Sequence, residues 1–592
     1  MDYIKTTWRV LSLLVAAALF SALAIASDAG RQSPGTSGGA NLHPFRSGGD
    51  NSLIVVEMGT ETGPATRIAA QACAGLYNRK SGGSVYTRME DKDSEWIEEL
   101  DLRPDETLKA EHFLESCMAE FPRCVRYSYD KQRELLPNIL TVAAVIEAIP
   151  VDEKMEVKCN NIVFDAALEF QKHDTPYLST KYVYENYVNE TTGLAMLNPG
   201  YDKGEGKVWA PEIVEDMDAS MIDFVFSEKL FVMFLVNGCV KGGRQNDLVN
   251  DIVSENPWTK PIGVYGYANY WNVFGGYLFE AHTTCSKFRN MGAIPTEVNN
   301  LSFFSTRREP ITGPGELKQN EKKEIAYDPA QTYVAFIVGD GDNIAFIMDS
   351  RAEWFRGRVR ACREGACPPL TWSISPHLSR IAPDVLEWYY SMSHKTGKDY
   401  FMLPPSGHLY AYPSSMEEMT IQNKFVAATE KDAQLLGTHS TVHWEWFNKW
   451  PYAEDKFLPK YADGAVKGVF PVNVPYMFPT FTWVRNRFFK MLTDKDGGKV
   501  VLFRPREWRG IDDSRGKFMD KKFYLTPEEM AKELGGYPRG TVTGIYMTSD
   551  GGLDLDNSIM ELIKLLPEHV RLVSSDTAVR LALEAAGADE GK

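Results

Sequence analysis

The stretch Tyr333-Val-Ala-Phe-Ile-Val338, followed at once by Gly339-Asp340-Gly341-Asp342-Asn343, decides how the second half of this 592-residue chain is read. Six apolar residues bounded by a glycine-rich acidic turn predict a buried strand that delivers two carboxylates at its carboxyl end. Seven more β-like runs follow, at Leu370–Ile374, Tyr400–Leu403, Thr441–Trp446, Gly468–Val472, Val500–Phe503, Gly544–Met547 and Val570–Val573. Helical stretches at Ala382–Lys395, Ser415–Leu436, Thr526–Leu534, Asn557–Leu566 and Thr577–Ala586 separate several of them. Such alternation predicts βα units and a parallel sheet. Residues 330–592 are close in length to the ~250 residues of a (β/α)8 barrel, so the expected C-terminal domain is barrel-like, with seven or eight strands. A doubly wound open sheet is the alternative.

Upstream, Leu53–Glu57, a helical stretch from Ala65 to Arg79 and a second run at Val85 form a βαβ-like pattern. Apolar runs at Ile139–Ile149, Met221–Leu235 and Pro261–Tyr267 continue it, so 51–325 is expected to be an N-terminal α/β region of two or three subdomains. The polar stretch Thr312–Asp328 reads as the linker between the halves. Residues 27–50 are rich in Gly and Ser and read as a flexible leader. Before them, Lys5 and Arg9 precede an apolar run ending in Ala24-Ile25-Ala26, the pattern of a secretory signal peptide over 1–26. The expected location is therefore secreted or extracellular, with no membrane association after cleavage.

The cysteines agree with secretion. All eight lie beyond that segment, an even number that predicts disulfides, with Cys117/Cys124 and Cys362/Cys367 close enough for short loops. Sequons at Asn189 and Asn300 are expected on the surface if the host glycosylates them. A net charge of −16 argues against a nucleic-acid partner, because tracking phosphates needs a basic excess.

Chemistry concentrates where the predicted strands end. After the acidic turn come His377, the segment Ser406-Gly407-His408-Leu409-Tyr410, then His443-Trp444-Glu445-Trp446, then Arg506-Glu507-Trp508, and finally Thr548-Ser549-Asp550. If the strands are parallel, these ends share one face, and that face carries the active site in barrels and open sheets alike. Plain turns favour Gly, Asn, Asp, Ser and Pro rather than Trp, Tyr, His and carboxylates.

The segment Gly407-His-Leu-Tyr410-Ala-Tyr412-Pro413 resembles the signature of the GxGYxYP family, secreted proteins regarded as candidate glycoside hydrolases. Gly339-Asp340-Gly-Asp342-Asn343 is similar to that family's SDGDN segment, and Leu76-Tyr77-Asn78-Arg79 with Ser84-Val85-Tyr86 to its N-terminal element. Leu409 and Gly339 depart from the pattern, standing where Gly and Ser are usual. The resemblance implies a carbohydrate substrate.

Glycoside hydrolysis needs one protonated and one ionised carboxyl. Glu445, flanked by two tryptophans, is the expected general acid, because desolvation keeps a carboxyl protonated. Asp550, in an open polar setting, is its expected ionised partner, about 5–10 Å away, with Glu507, Asp340 and Asp342 in reserve. Asp340, Asp342, Asn343, His377, His408, Tyr410, Tyr412, His443, Trp444, Trp446 and Trp508 are expected to bind the sugar. No cofactor is required, although the Asp340/Asp342 pair would suit a hard cation such as calcium. Two rival readings are a non-catalytic carbohydrate-binding surface protein, and a metal-dependent deacetylase-like hydrolase using the three histidines with the two aspartates.

Overall fold

The computed structural model describes residues 53–590, apart from 158, 202–212, 214–215, 239–241, 267–289, 323, 365–366, 447, 473–487, 511–522 and 549–556. The expected signal and leader thus lie outside the described residues. Ten strands build the N-terminal half: β1 (Ile54–Glu57), β2 (Val85–Arg88), β3 (Glu106–Lys109), β4 (Arg123–Tyr127), β5 (Ile149–Asp152), β6 (Asn161–Asp165), β7 (Leu194–Met196), β8 (Phe231–Met233), β9 (Ile262–Gly266) and β10 (Met291–Ile294). They form three parallel sheets, ordered β2-β1-β3, β5-β4-β6 and β10-β9-β7-β8. The helix Pro64–Ser81 buries a stripe of small residues between them. Asn78, from the element resembling the family's, fastens that helix to β2: its side chain donates to Val85 O and accepts from Val85 N, both at 2.8 Å.

The second half contributes β11 (Thr332–Val338), β12 (Leu370–Ser373), β13 (Asp399–Met402), β14 (Ser440–His443), β15 (Gly468–Pro471), β16 (Phe489–Thr493), β17 (Lys499–Phe503), β18 (Arg506–Trp508), β19 (Val542–Met547) and β20 (Val570–Val573). All eight expected runs are strands, and the sequence reading missed β16 and β18. One sheet runs β13-β12-β11-β19-β18, with β20 beside the first half of β11; the other runs β14-β15-β17-β16. Every pair is parallel except β16 with β17. The expected single barrel is not what the pairing gives: among the described residues the ladders form two sheets rather than one closed ring. A bridge between Leu403 and Thr441 links β13 to β14, and the chain passes from one sheet to the other between β17 and β18.

The inner faces of both sheets share one core. Tyr333, Ala335 and Ile337, alternate residues of β11, pack with Phe470, Phe503 and Val542. Phe470 and Phe503 stack at 4.2 Å. The helix Ser575–Glu590 joins this core through Ala578, Val579, Leu581 and Ala582. Its start is fixed at the amino-terminal ends of the strands. Asp576 accepts from Thr438 Oγ1, His439 N and Ser440 Oγ at 2.8–3.1 Å and pairs with Lys322. Ser575 N donates to Thr371 Oγ1 at 2.9 Å. That mouth is filled, and the loops at the carboxyl ends carry the polar residues.

The two halves are stitched together near those ends. Ala293 of β10 makes an antiparallel bridge with Tyr410, N···O 2.9 and 3.1 Å, and Pro295 O accepts from Ile344 N at 2.9 Å. A Cβ on Gly292 would stand 2.8 Å from Leu409 Cβ, so β10 approaches this closely only with glycine there. Leu409 is buried in that contact and lies outside the left-handed region, so its departure from the family pattern costs the loop no strain. The expected linker is bound to the second half rather than loose. Gln319 bonds Phe401 through both N–H and carbonyl, and Asn320 donates to Ser393 O and Asp399 O.

Two local expectations are corrected. Cys117 pairs with Cys73 and Cys124 with Cys159, not with each other; Cys362–Cys367 forms as expected, and Cys239 and Cys285 lie outside the described residues. Asn189 is exposed, but Asn300 is 2% exposed. Asn300 wraps Thr87, donating to its carbonyl at 2.8 Å and accepting from its N–H at 2.6 Å, which leaves no room for a glycan. Closing the 44-residue separation between Cys73 and Cys117 is worth about 4 kcal/mol by chain entropy. Non-reducing peptide mapping should return Cys73–Cys117, Cys124–Cys159 and Cys362–Cys367; a Cys117–Cys124 peptide would refute this connectivity.

Candidate active site at the strand ends

The turn after β11 is built to hold two aspartates in place. Gly341 N donates to Ser373 Oγ at 3.0 Å, and that hydroxyl donates to Val338 O at 2.9 Å. A Cβ on Gly341 would lie 1.9 Å from Ser373 O, so the turn can lie on β12 only with glycine between the acids. Asp340 sits at φ +61°, a conformation that costs a non-glycine residue free energy and marks a site held by its surroundings. Its N–H donates to the Tyr546 hydroxyl at 3.3 Å. Asn343, expected to touch sugar, is exposed and caps the next helix by accepting from Phe346 N at 3.1 Å.

Electrostatics separate the two acids. Burial, and then the neighbouring charge of Asp340, push the Asp342 carboxyl up to about 7, against a smaller opposing pull from Arg351. Burial, with Asp340, Asp342 and Glu507 nearby, holds the Tyr546 phenol well above its ordinary value, so it stays protonated. Glu507, 3% exposed, accepts from Arg509 Nη2 at 2.5 Å. Burial, with His408 beside it, pushes His377 down to about 3, and its ring is neutral. Its Nε2 lies 2.7 Å from His408 O, an acceptor, so Nε2 carries the proton. His408 Nδ1 in turn lies 2.7 Å from Asp432 Oδ2.

Glu445 has a different setting from the one its neighbours in sequence imply. Its carboxylate has no exposed surface and is fully engaged: Oε1 accepts from Ser414 N at 3.0 Å and lies 3.1 Å from His443 Nε2, while Oε2 accepts from Ser414 Oγ at 2.5 Å. It anchors the far end of the signature loop to β14. Ser406 Oγ secures the near end, accepting from Trp444 N at 2.7 Å and donating to Ala411 O at 2.9 Å. Tyr410, Tyr412, Trp444 and Trp446 pack on one another at ring separations of 4.8–6.1 Å, each 7% exposed or less. Trp508 belongs to the core on the other side of its sheet, against Phe336, and has no exposure. Aromatic neighbours in sequence were therefore a signal of packing rather than of an open stacking platform. Asp550 lies outside the described residues.

The metal alternative is not supported by placement. Among the described residues, His377, His408 and His443 do not converge with the two aspartates. The one group among the described residues with ligand atoms mutually within 4.8 Å is Asp463, Asp494 and Asp496, on the turn between β16 and β17 and the segment before β15. The sequence reading missed Ser373, Arg351 and Tyr546. Tyr546 was the most legible, since it falls in the inward phase of β19.

The raised carboxyl of Asp342 has a consequence for stability. A group held above its unfolded value contributes fully below the unfolded pKa, and the contribution is lost as pH rises through the folded value. Asp342→Asn should therefore gain thermal stability over wild type progressively between about pH 4 and 7 and keep that gain above. A gain independent of pH in parallel melting curves would contradict the assignment.

Comparison with known proteins agrees with this architecture. Residues 330–473 match the family model described as the GxGYxYP putative glycoside hydrolase C-terminal domain. No curated protein matches the sequence. A crystal structure of a putative hydrolase from Bacteroides thetaiotaomicron VPI-5482 superposes with a TM-score of 0.65 at 18% identity, over 91% of this chain and 95% of that one, and so shares the fold. A 4-alpha-glucanotransferase from Thermococcus litoralis (12% identity, 42% of this chain and 40% of that chain, TM-score 0.29) bears no weight. Nor does a putative polysaccharide deacetylase from Mycobacterium smegmatis (13%, 45% and 96%, 0.27). The matched segment spans β11 to β15, holds both the acidic turn and the signature loop, and matches the model of that family's C-terminal domain.

Proposed function

We propose that this protein is a secreted carbohydrate-processing enzyme that hydrolyses glycosidic bonds at the carboxyl ends of β11, β19 and their neighbours. One observation carries the reading: Asp340 and Asp342 share a turn, and Asp342 holds its proton near neutral pH. A carboxyl that is half protonated at working pH is suited to general acid catalysis. Asp342 gives its proton to the glycosidic oxygen as the C–O bond breaks, and the anomeric carbon takes its new oxygen from water, either directly with the ionised partner accepting the water's proton or by way of a glycosyl ester on that partner. Asp550, four residues beyond Tyr546 in sequence, is the proposed ionised partner, with Glu507 in reserve. His377, a neutral donor-acceptor ring, and the exposed rim of the acidic turn orient the sugar. Glu445 moves from the acid's role to that of anchoring the signature loop. The linked sheets, β11 to β15 and β17 to β19, are read as a barrel joined by the bridge where β13 meets β14 and opened where the chain passes from β17 to β18.

The test is hydrolysis of a panel of oligosaccharides and polysaccharides, followed by reducing-end release. Asp342→Asn should lower kcat by about 10²- to 10⁴-fold while leaving binding of the confirmed substrate in place. The wild-type alkaline limb should fall near pH 7, where Asp342 loses its proton. Asp340→Asn removes the like charge and should move that limb to lower pH. A fully active Asp342→Asn variant alongside an inactive Glu445→Gln would return the acid's role to Glu445.

A further inference from the structure

Arg351 is the second residue of the helix Ser350–Glu364 and is 1% exposed. Its Nη1 donates to Ser373 O at 2.6 Å, and its guanidinium lies 5.5 Å from the ring of Phe346 and 5.9 Å from that of Trp372. Nε and Nη2 are buried with no hydrogen-bond partner among the described residues. Burying a guanidinium with idle nitrogens is costly, and a well-packed core would not need it. Ser373 also holds the acidic turn, through Gly341 N. One residue of β12 therefore fixes both the cation and the peptide between the two aspartates. The charged and titratable groups that act on Arg351 are Asp340 and Asp342 from the turn, Tyr546 from β19 and Tyr389 from the helix Pro383–Thr396.

We propose that Arg351 is a positioning residue for the acidic turn: a fixed positive charge, bonded to neither aspartate, that lets two half-buried carboxyl groups stand together. A direct ion pair would tie up one carboxylate, whereas a charge bonded to neither stabilises the pair without doing so. The role in catalysis rests on the reading of the turn as the reacting site, but the coupling between cation and acids does not.

Thermal unfolding of the full-length protein between pH 5 and 9 tests it, with Arg351→Gln, Arg351→Lys, Asp340→Asn and the double variant Arg351→Gln/Asp340→Asn. Asn is a suitable replacement at 340 because it tolerates the left-handed backbone there. Arg351→Gln should lose more stability at pH 8, where both acids tend to ionise, than at pH 5. The double variant should recover at least about half of that loss, as expected for residues that interact directly. Arg351→Lys, which keeps the charge, should fall between Gln and wild type. If Arg351→Gln does not fold, the proposal requires that the double variant does. A loss equal at both pH values, or a double variant that is additive or unfolded, overturns it, because packing and the Ser373 bond would then account for Arg351. Hydrolysis of the same carbohydrate panel, measured in parallel, tests the functional reading separately: wild type inactive on every member would end that reading without altering the melting result.

Discussion

Asp576 ties the helix Ser575–Glu590 to the beginning of β14, more than a hundred residues earlier in sequence, through three hydrogen bonds, and to Lys322 of the linker through an ion pair. Much of the second half depends on that anchor. Parallel strands leave a hollow between inward-facing side chains, and an unfilled hollow forfeits dispersion contacts on every wall. Here the helix supplies Ala578, Val579, Leu581 and Ala582 at one end, Phe470 and Phe503 fill the middle, and the tyrosines and tryptophans of the signature loop and of the β14 end close over the top. The glycine that starts β15 meets Val579 so closely that an added Cβ would be 2.1 Å from it. With the amino-terminal mouth plugged, polar side chains have only the opposite ends on which to gather.

At those ends the structure separates two kinds of carboxylate that look alike in the sequence. Glu445 and Asp342 are both acids just beyond a strand. Glu445 is surrounded by donors, and its work is to hold a loop. Asp342 faces another acid and a distant cation, and its free energy is set by charge and desolvation. Proton-transfer capacity follows from unsatisfied electrostatics rather than from the identity of the flanking residues.

The sequence was informative where one element decides its own form. Eight strand runs were legible from apolar length and β-branched content, and their parallel direction from the helices between them. The acidic turn was legible as a pair because residues two apart share a face. What could not be read were facts of long-range placement. Arg506–Trp508 looks like a polar loop end but pairs with β19, which buries Trp508. Asn300 looks like an exposed sequon, but it satisfies the backbone of Thr87, 213 residues away. Nothing local marks Cys117 for Cys73 rather than the nearer Cys124. Arg351 is one more arginine on a charged helix until its neighbours across the sheet are known.

The bridge between Ala293 and Tyr410, with the bond from Ile344 to Pro295, gives the acidic turn and the signature loop a common support outside their own sheet. Thermodynamic linkage makes such a support reciprocal. Any event that loosens β10 must be felt by both loops, and whatever tightens those loops must lend the same free energy back to the sheet β10-β9-β7-β8. Slowed amide exchange along β9 and β10 would thus report on whatever tightens the acidic turn or the signature loop, which belong to the other half of the chain.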